Sequence, residues 1–269
     1  MSIAWSPPWP GWRMADAALH VARYGAGPDL ALVHGWGFDS RALQPLGERL
    51  ATRFRVHAVD LPGHGRSPGP LPDDLARLAA RVATALPAPA AWVGWSLGAL
   101  VAWRVALDRP GAVTRLAAVA ATPRFTRADD WPDAVDPATL AAFAAACAAD
   151  PDAVLARFAG LVAHGDRHPR AVQRQLGALH AGAPRDGAAL AAGLALLAAS
   201  DLRAPLATLD LPTLCLLGGG DALLPAALAA RLASAYPAWR IATVAGAGHA
   251  PFVAHADACA ARITAFLDG

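Results

Sequence analysis

The sequence predicts an α/β domain: a mostly parallel central sheet flanked by helices, with a helical cap inserted into it. Three observations carry this. Over the first 121 residues, short apolar runs alternate with segments of helical spacing, the pattern of strand–helix–strand units in a parallel sheet. From about residue 124 to 199 the strand signal disappears and alanine- and leucine-rich helical stretches replace it. Strand-like runs then resume at Thr213. The expected division is a core of residues 1–121 and 200–269 with a cap of residues 122–199. A length of 269 residues, 55% of them hydrophobic, suits one large domain with an insertion.

The elements follow in order. Leu19 to Arg23 alternates weakly, as an edge strand does. Leu30 to Val33 is continuously apolar, as expected of a strand buried on both faces. Asp39-Ser40 caps a predicted helix through Phe54. Arg55 to Val59 is the next strand, ending in the turn-rich Asp60-Leu61-Pro62-Gly63-His64-Gly65-Arg66-Ser67. A helix is predicted over Asp73 to Leu86, a strand to Trp95, a helix over Ala99 to Leu107, and a strand over Arg115 to Ala121. The middle supplies helices at Pro137 to Ala149, Pro151 to Ala163, Pro169 to Ala181 and Gly187 to Ala199. Strands at Thr213 to Leu217 and Trp239 to Val244 and a helix over Ala256 to Leu267 complete the chain.

Composition excludes several classes of function. A net charge of +2 gives no footprint for nucleic acid. All 23 basic residues are arginine, so lysine chemistry is ruled out. Cys147, Cys215 and Cys259 are odd in number and widely spaced, which implies neither a disulfide framework nor a metal pair and fits a reducing cytoplasm. No stretch reads as a membrane span. Met1 to Asp16 has neither the basic start nor the apolar core of a secretory signal.

The chemistry centres on Gly94-Trp95-Ser96-Leu97-Gly98, a G-x-S-x-G that follows an apolar strand and opens a helix. That context makes a nucleophile elbow, a sharp turn that lifts the serine hydroxyl out of the sheet. Read alone, it is also a pattern that a glycine-rich turn with a capping serine satisfies. A serine hydroxyl needs a base, and the base needs a carboxylate to hold its tautomer. Asp221 follows the Thr213 strand and His249 follows the Trp239 strand, in the order serine, acid, histidine. Asp201 and Asp210 precede the Thr213 strand, and His255 starts the last helix, where it reads as surface or capping. For the oxyanion, the expected donors are the backbone N–H groups of Leu97 and of Trp36 in His34-Gly35-Trp36-Gly37. No metal or organic cofactor is needed.

These landmarks resemble the α/β-hydrolase superfamily along nearly the whole chain. His34 to Gly37, Val59 to Ser67, Gly94 to Gly98, Asp130-Trp131-Pro132 and Gly248 to Phe252 resemble, more narrowly, the pimeloyl-[acyl-carrier protein] methyl ester esterases of biotin synthesis. The resemblance implies a monomeric, cytoplasmic serine carboxylesterase acting on a methyl-pimeloyl chain borne by acyl carrier protein, with Ser96 as nucleophile, Asp221 as orienting acid and His249 as base. It also implies that Trp36 and Leu97 line the substrate site. Phe158, Ala159, Gly160, Leu161 and Val162 match its acyl-contacting cap segment, and Arg157, Arg170 and Arg174 its carrier-protein contacts, with Arg124 and Arg127 nearby. This chain departs from the pattern in its Trp- and Pro-rich start, in Gly218-Gly219-Gly220 before the acid, and in Ala99 where a second glycine is usual. Two other readings remain: a general small-ester or acyl hydrolase with the same triad, and a non-catalytic binding protein on the same scaffold.

Overall fold

The computed structural model describes residues 18–180 and 186–269. The Met1 to Asp16 segment and the predicted helix end at Ala181 lie outside the described residues. The first half contains β1 (Val21–Tyr24), β2 (Asp29–Val33), α1 (Gln44–Leu50), β3 (Arg55–Val59), α2 (Leu75–Ala85), β4 (Ala90–Trp95), α3 (Leu97–Asp108) and β5 (Val113–Val119). Then come α4 (Pro137–Cys147), α5 (Pro151–Ala163), α6 (Pro169–His180), α7 (Gly187–Ala199) and α8 (Arg203–Ala207). The chain closes with β6 (Thr213–Gly218), α9 (Ala227–Ala235), β7 (Arg240–Val244), α10 (Pro251–Ala254) and α11 (Ala256–Asp268).

The sheet order is β1-β3-β2-β4-β5-β6-β7. Only β1 is antiparallel, to β3; the other neighbours are parallel. The chain runs outward from β2 to β3, then crosses back to β4 on the other side of β2. Ligands of open α/β sheets bind at such a reversal, beyond the carboxyl ends of the strands. Here those ends carry Trp36 after β2 and Ser96 after β4.

Successive residues of each buried strand face opposite layers. Ala31 and Val33 pack with α2 and α3, whereas Leu30 and Leu32 pack with α1 and α11. The helices between β5 and β6 extend both layers. Phe143 of α4 and Leu194 of α7 join the first, and Val172 and Leu176 of α6 join the second. α5 contributes to both, Leu155 to one and Val162 to the other.

Three details differ from expectation. The helix predicted from Asp39 through Phe54 is a 3₁₀ turn over Ser40–Leu43 followed by α1. Asp39 caps the turn, accepting from the Arg41 N–H, but Pro45 has no N–H to continue an α-helical ladder from it. β5 ends at Val119 rather than Ala121, because Ala120 turns left-handed with φ 45°. Helices α8, α9 and α10 go beyond the sequence reading. α9 supplies the crossover that parallel β6 and β7 require. No helix among the described residues is long and apolar enough to cross a membrane.

Candidate active site

Ser96 sits between β4 and α3 with φ 54° and ψ −117°, a backbone conformation that side chains rarely adopt. The flanking glycines make the turn possible. A Cβ on Gly94 would lie 2.6 Å from the Ala99 backbone, and one on Gly98 would lie 2.7 Å from the His34 carbonyl oxygen. No side chain fits at either position. Ala99 itself is fully buried, so the departure from a second glycine is accommodated within α3.

Asp221 and His249 arrive from the ends of β6 and β7. His249 Nε2 is 3.1 Å from Ser96 Oγ, and His249 Nδ1 is 2.7 Å from Asp221 Oδ2. A carboxylate only accepts, so Nδ1 carries the imidazole proton and Nε2 is left to accept from the Ser96 hydroxyl. Asp221 Oδ1 also accepts from the Leu223 and Leu224 N–H groups, at 2.8 and 3.1 Å. The turn-capping role open to this aspartate and its contact with His249 therefore coexist, one oxygen serving each. All three side chains are buried.

The main chain of His249 is held on both sides. Its N–H donates to the Val162 carbonyl at 3.0 Å, and its carbonyl accepts from the Trp95 indole at 2.9 Å. Sequence reasoning passed over Trp95, the variable residue inside the elbow motif. A tryptophan beside the nucleophile was the available signal.

Register sets the oxyanion side. Val33 pairs with Gly94, which places His34 and Gly35 alongside Trp95 and Ser96. A Cβ on Gly35 would lie 3.2 Å from the Ser96 Cβ. The loop is pinned from below by His34, whose Nε2 accepts from the Leu61 N–H at 2.9 Å. Its Nδ1 therefore carries the proton and donates to the Gly35 carbonyl at 2.8 Å. Burial pushes His34 below the usual histidine range, against the pull of Asp60, the Gly35 carbonyl and Asp39. Leu97 opens α3, so its N–H has no partner within the helix. Leu97 is the residue next to Ser96, and the Gly35 loop lies on the other side of the serine. Such an arrangement can perform acyl transfer through a serine ester.

The profile described as "Alpha/beta hydrolase family" matches residues 30–262 of this chain. The pimeloyl-[acyl-carrier protein] methyl ester esterase of Stenotrophomonas maltophilia is 44% identical over 255 residues, covering 93% of this chain and 97% of that protein. The protein of the same name from Xanthomonas campestris is 43% identical over 251 residues, covering 93% and 98%. The chain belongs to the alpha/beta hydrolase family, among these methyl ester esterases. A solved esterase from Exiguobacterium antarcticum shares the fold with a TM-score of 0.84, at 22% identity over 93% of this chain and 96% of that one.

In this hydrolase the residues predicted to meet the acyl chain divide by helix face. Phe158 of α5 meets Trp36 edge-on, with centroids 4.7 Å apart, and lies about 6.0 Å from both Phe38 and Phe143. Val162, one turn on, reaches His249 through its carbonyl. Gly160 faces Gln173 of α6, which a Cβ there would meet at 3.2 Å. Ala159 is buried and Leu161 half-buried within the apolar layers. Trp36 is itself buried, and its indole donates to the Leu190 carbonyl of α7 at 2.7 Å.

The predicted carrier-contacting arginines are exposed. Arg157 lies over the Phe143 ring at 4.8 Å, and Arg170 and Arg174 stand one turn apart on α6. Arg124 is engaged elsewhere, with Asp201 at 2.9 Å. Asp201 also binds Arg203, whose hydrogen bond chiefly holds its carboxyl down at about 2, so this aspartate is committed to a surface ion pair. Asp210 is exposed. His255 stands at the N-cap position of α11, as the capping reading has it, but its side chain makes no cap bond; its ring is half-buried, 3.2 Å from the Gly246 carbonyl and 3.6 Å from Asp166.

Proposed function

We propose that this chain is a serine carboxylesterase that hydrolyses the methyl ester of pimeloyl-acyl carrier protein in biotin biosynthesis, releasing methanol and the free carboxylate. The observation that carries the reading is the buried, continuous hydrogen-bonded chain Ser96–His249–Asp221, in a protein 44% identical to an esterase of that name.

Ser96 Oγ attacks the ester carbonyl while His249 Nε2 takes its proton. The oxyanion receives the Leu97 and Trp36 N–H groups, each worth about 3 kcal/mol in the transition state. Asp221 holds the imidazolium formed. His249 returns its proton to the departing methoxide, and methanol leaves an acyl-enzyme. Water, deprotonated by His249, then attacks the acyl carbonyl, and the returning proton restores Ser96. Residues 122–199 act as a cap over this site. Within it, Phe158 and its neighbours through Val162 meet the methylenes, and exposed Arg157, Arg170 and Arg174 meet the acidic carrier protein, an attraction that weakens with salt. The three free, buried cysteines suit work in a reducing cytoplasm.

The test compares hydrolysis of methyl pimeloyl-acyl carrier protein with that of a short-chain methyl ester, by wild type and Ser96→Ala. A strong preference for the carrier-borne ester, abolished in Ser96→Ala, supports the reading. Equal rates on both esters leave a general esterase with the same triad. No turnover of either ester sinks the catalytic assignment.

A further inference from the structure

One buried carboxylate has no part in the chemistry above. Asp166 lies in the turn between α5 and α6, and its side chain is 1% exposed. Burying a carboxylate is expensive unless donors compensate it. Its Oδ1 accepts from the His168 N–H at 2.7 Å, a local turn bond. Its Oδ2 crosses to the other side of the sequence and accepts from the Gly248 N–H at 3.1 Å. Gly248 immediately precedes His249.

The bond belongs to a set. Arg167 N–H donates to the Gly246 carbonyl at 2.7 Å, and His249 N–H donates to the Val162 carbonyl at 3.0 Å. Residues 162–167 thus bind Gly246, Gly248 and His249. The same turn also abuts the acid loop, where a Cβ on Gly220 would lie 2.9 Å from the Gly165 carbonyl carbon. The histidine loop, Gly246-Ala247-Gly248-His249-Ala250, has no large side chain of its own to anchor it apart from His249. Two glycines give its backbone extra freedom. External hydrogen bonds must therefore set its path, and a charge-assisted one is the strongest kind available.

We propose that Asp166 is a positioning residue: by holding the Gly248 N–H from the α5–α6 turn, it keeps His249 Nε2 directed at Ser96 Oγ. The assignment rests on the triad reading. A displacement of the base by about 1 Å costs on the order of a hundredfold in rate, so the contact acts on kcat rather than on substrate affinity.

The experiment uses the full-length protein and three substitutions. Asp166→Ala removes both bonds. Asp166→Ser retains a hydroxyl for the local turn bond to His168 but cannot reach Gly248, which guards against a variant that fails to fold. Asp166→Asn keeps one oxygen to accept from Gly248 while its amide NH2 faces the His168 N–H, so it loses the local turn bond and retains the positioning one. Folded protein is quantified by circular dichroism, and kcat and KM are measured on a short methyl ester. The rate of Ser96 phosphorylation by paraoxon and the low-field proton resonance of His249 Nδ1–H are recorded alongside. Asp166→Ala and Asp166→Ser are expected to lose roughly ten- to hundredfold in kcat and in phosphorylation rate, with KM within about threefold and the low-field resonance shifted or lost. Asp166→Asn is expected to stay within about threefold of wild type. Unchanged kcat and phosphorylation rate per folded molecule in Asp166→Ser, with only a lower Tm, would overturn the proposal. Ser96→Ala in the same assays separates the two readings. If Ser96→Ala retains turnover, the triad assignment has failed. If it is inactive while Asp166→Ser is fully active, the triad stands and the positioning role falls.

Discussion

The elbow and the α5–α6 segment both bear on His249, but they are held in different ways. Ser96 is fixed by backbone sterics at two glycines, Gly94 against the nearby Ala99 and Gly98 against the end of the neighbouring strand β2. α5 and its following turn are fixed by partners far away in sequence, Val162 to His249, Asp166 to Gly248 and Phe158 to Trp36. The first kind of constraint tolerates only glycine at defined positions. The second uses main-chain carbonyls and amides, which every residue but proline can provide.

The largest effect tests the elbow. Ser96→Ala is expected to lower kcat by at least about 10⁴-fold. Ser96→Gly should be equally inactive yet more stable than wild type by about 1 kcal/mol, because glycine relieves the left-handed strain. Ester hydrolysis and urea denaturation measure the pair. If Ser96→Gly is less stable, the elbow is not strained and the contrast collapses.

Glycines on the two sides of the site sharpen the comparison next. Gly98→Ala drives a methyl into strand backbone and is expected to cost about 3 kcal/mol or more. Gly160→Ala meets only the flexible end of Gln173, and the gain in helix propensity should leave stability within about 1 kcal/mol of wild type. Similar losses for both variants would show that α5 is packed as rigidly as the elbow.

The core side of the site also carries a pH dependence. His64, in the loop after β3, is pushed down to about 4, chiefly by burial and further by His34. Its folded value lies below its unfolded one, so the unfolded chain binds the extra proton. Stability is then fully present above pH 6.5 and falls as the pH drops toward 4, by at most about 3 kcal/mol. His64→Gln should flatten that part of the stability profile; an unchanged slope would assign it to other groups.

The smallest effect belongs to the apolar side of α5. Phe158→Ala is expected to raise KM for a long-chain acyl ester about tenfold while leaving a short methyl ester within about threefold. Equal losses on both esters would mean that Phe158 supports the Trp36 loop rather than the chain.

Much of the site was legible. Ser96, Asp221 and His249 could be picked out because each follows a strand signal in the expected order. His34 to Gly37 was visible as a strand-end turn. Trp95 was not, since its contribution is an indole N–H to a main-chain carbonyl 154 positions away. Asp166 was not legible either, since its partner Gly248 lies 82 positions away. The break at Pro45 was written in the sequence, although the surrounding apolar pattern masked it.

By itself, then, the sequence determined the layered α/β core and the strained turn at Ser96. Alternation of apolar residues and the placement of glycine are responses to local geometry and survive in the order of residues. The tertiary structure alone decided which helix carbonyl holds His249, which carboxylate holds Gly248, and which arginines stand exposed at the surface. Those contacts join main-chain groups and side chains distant along the chain, and only folding brings them within hydrogen-bonding distance.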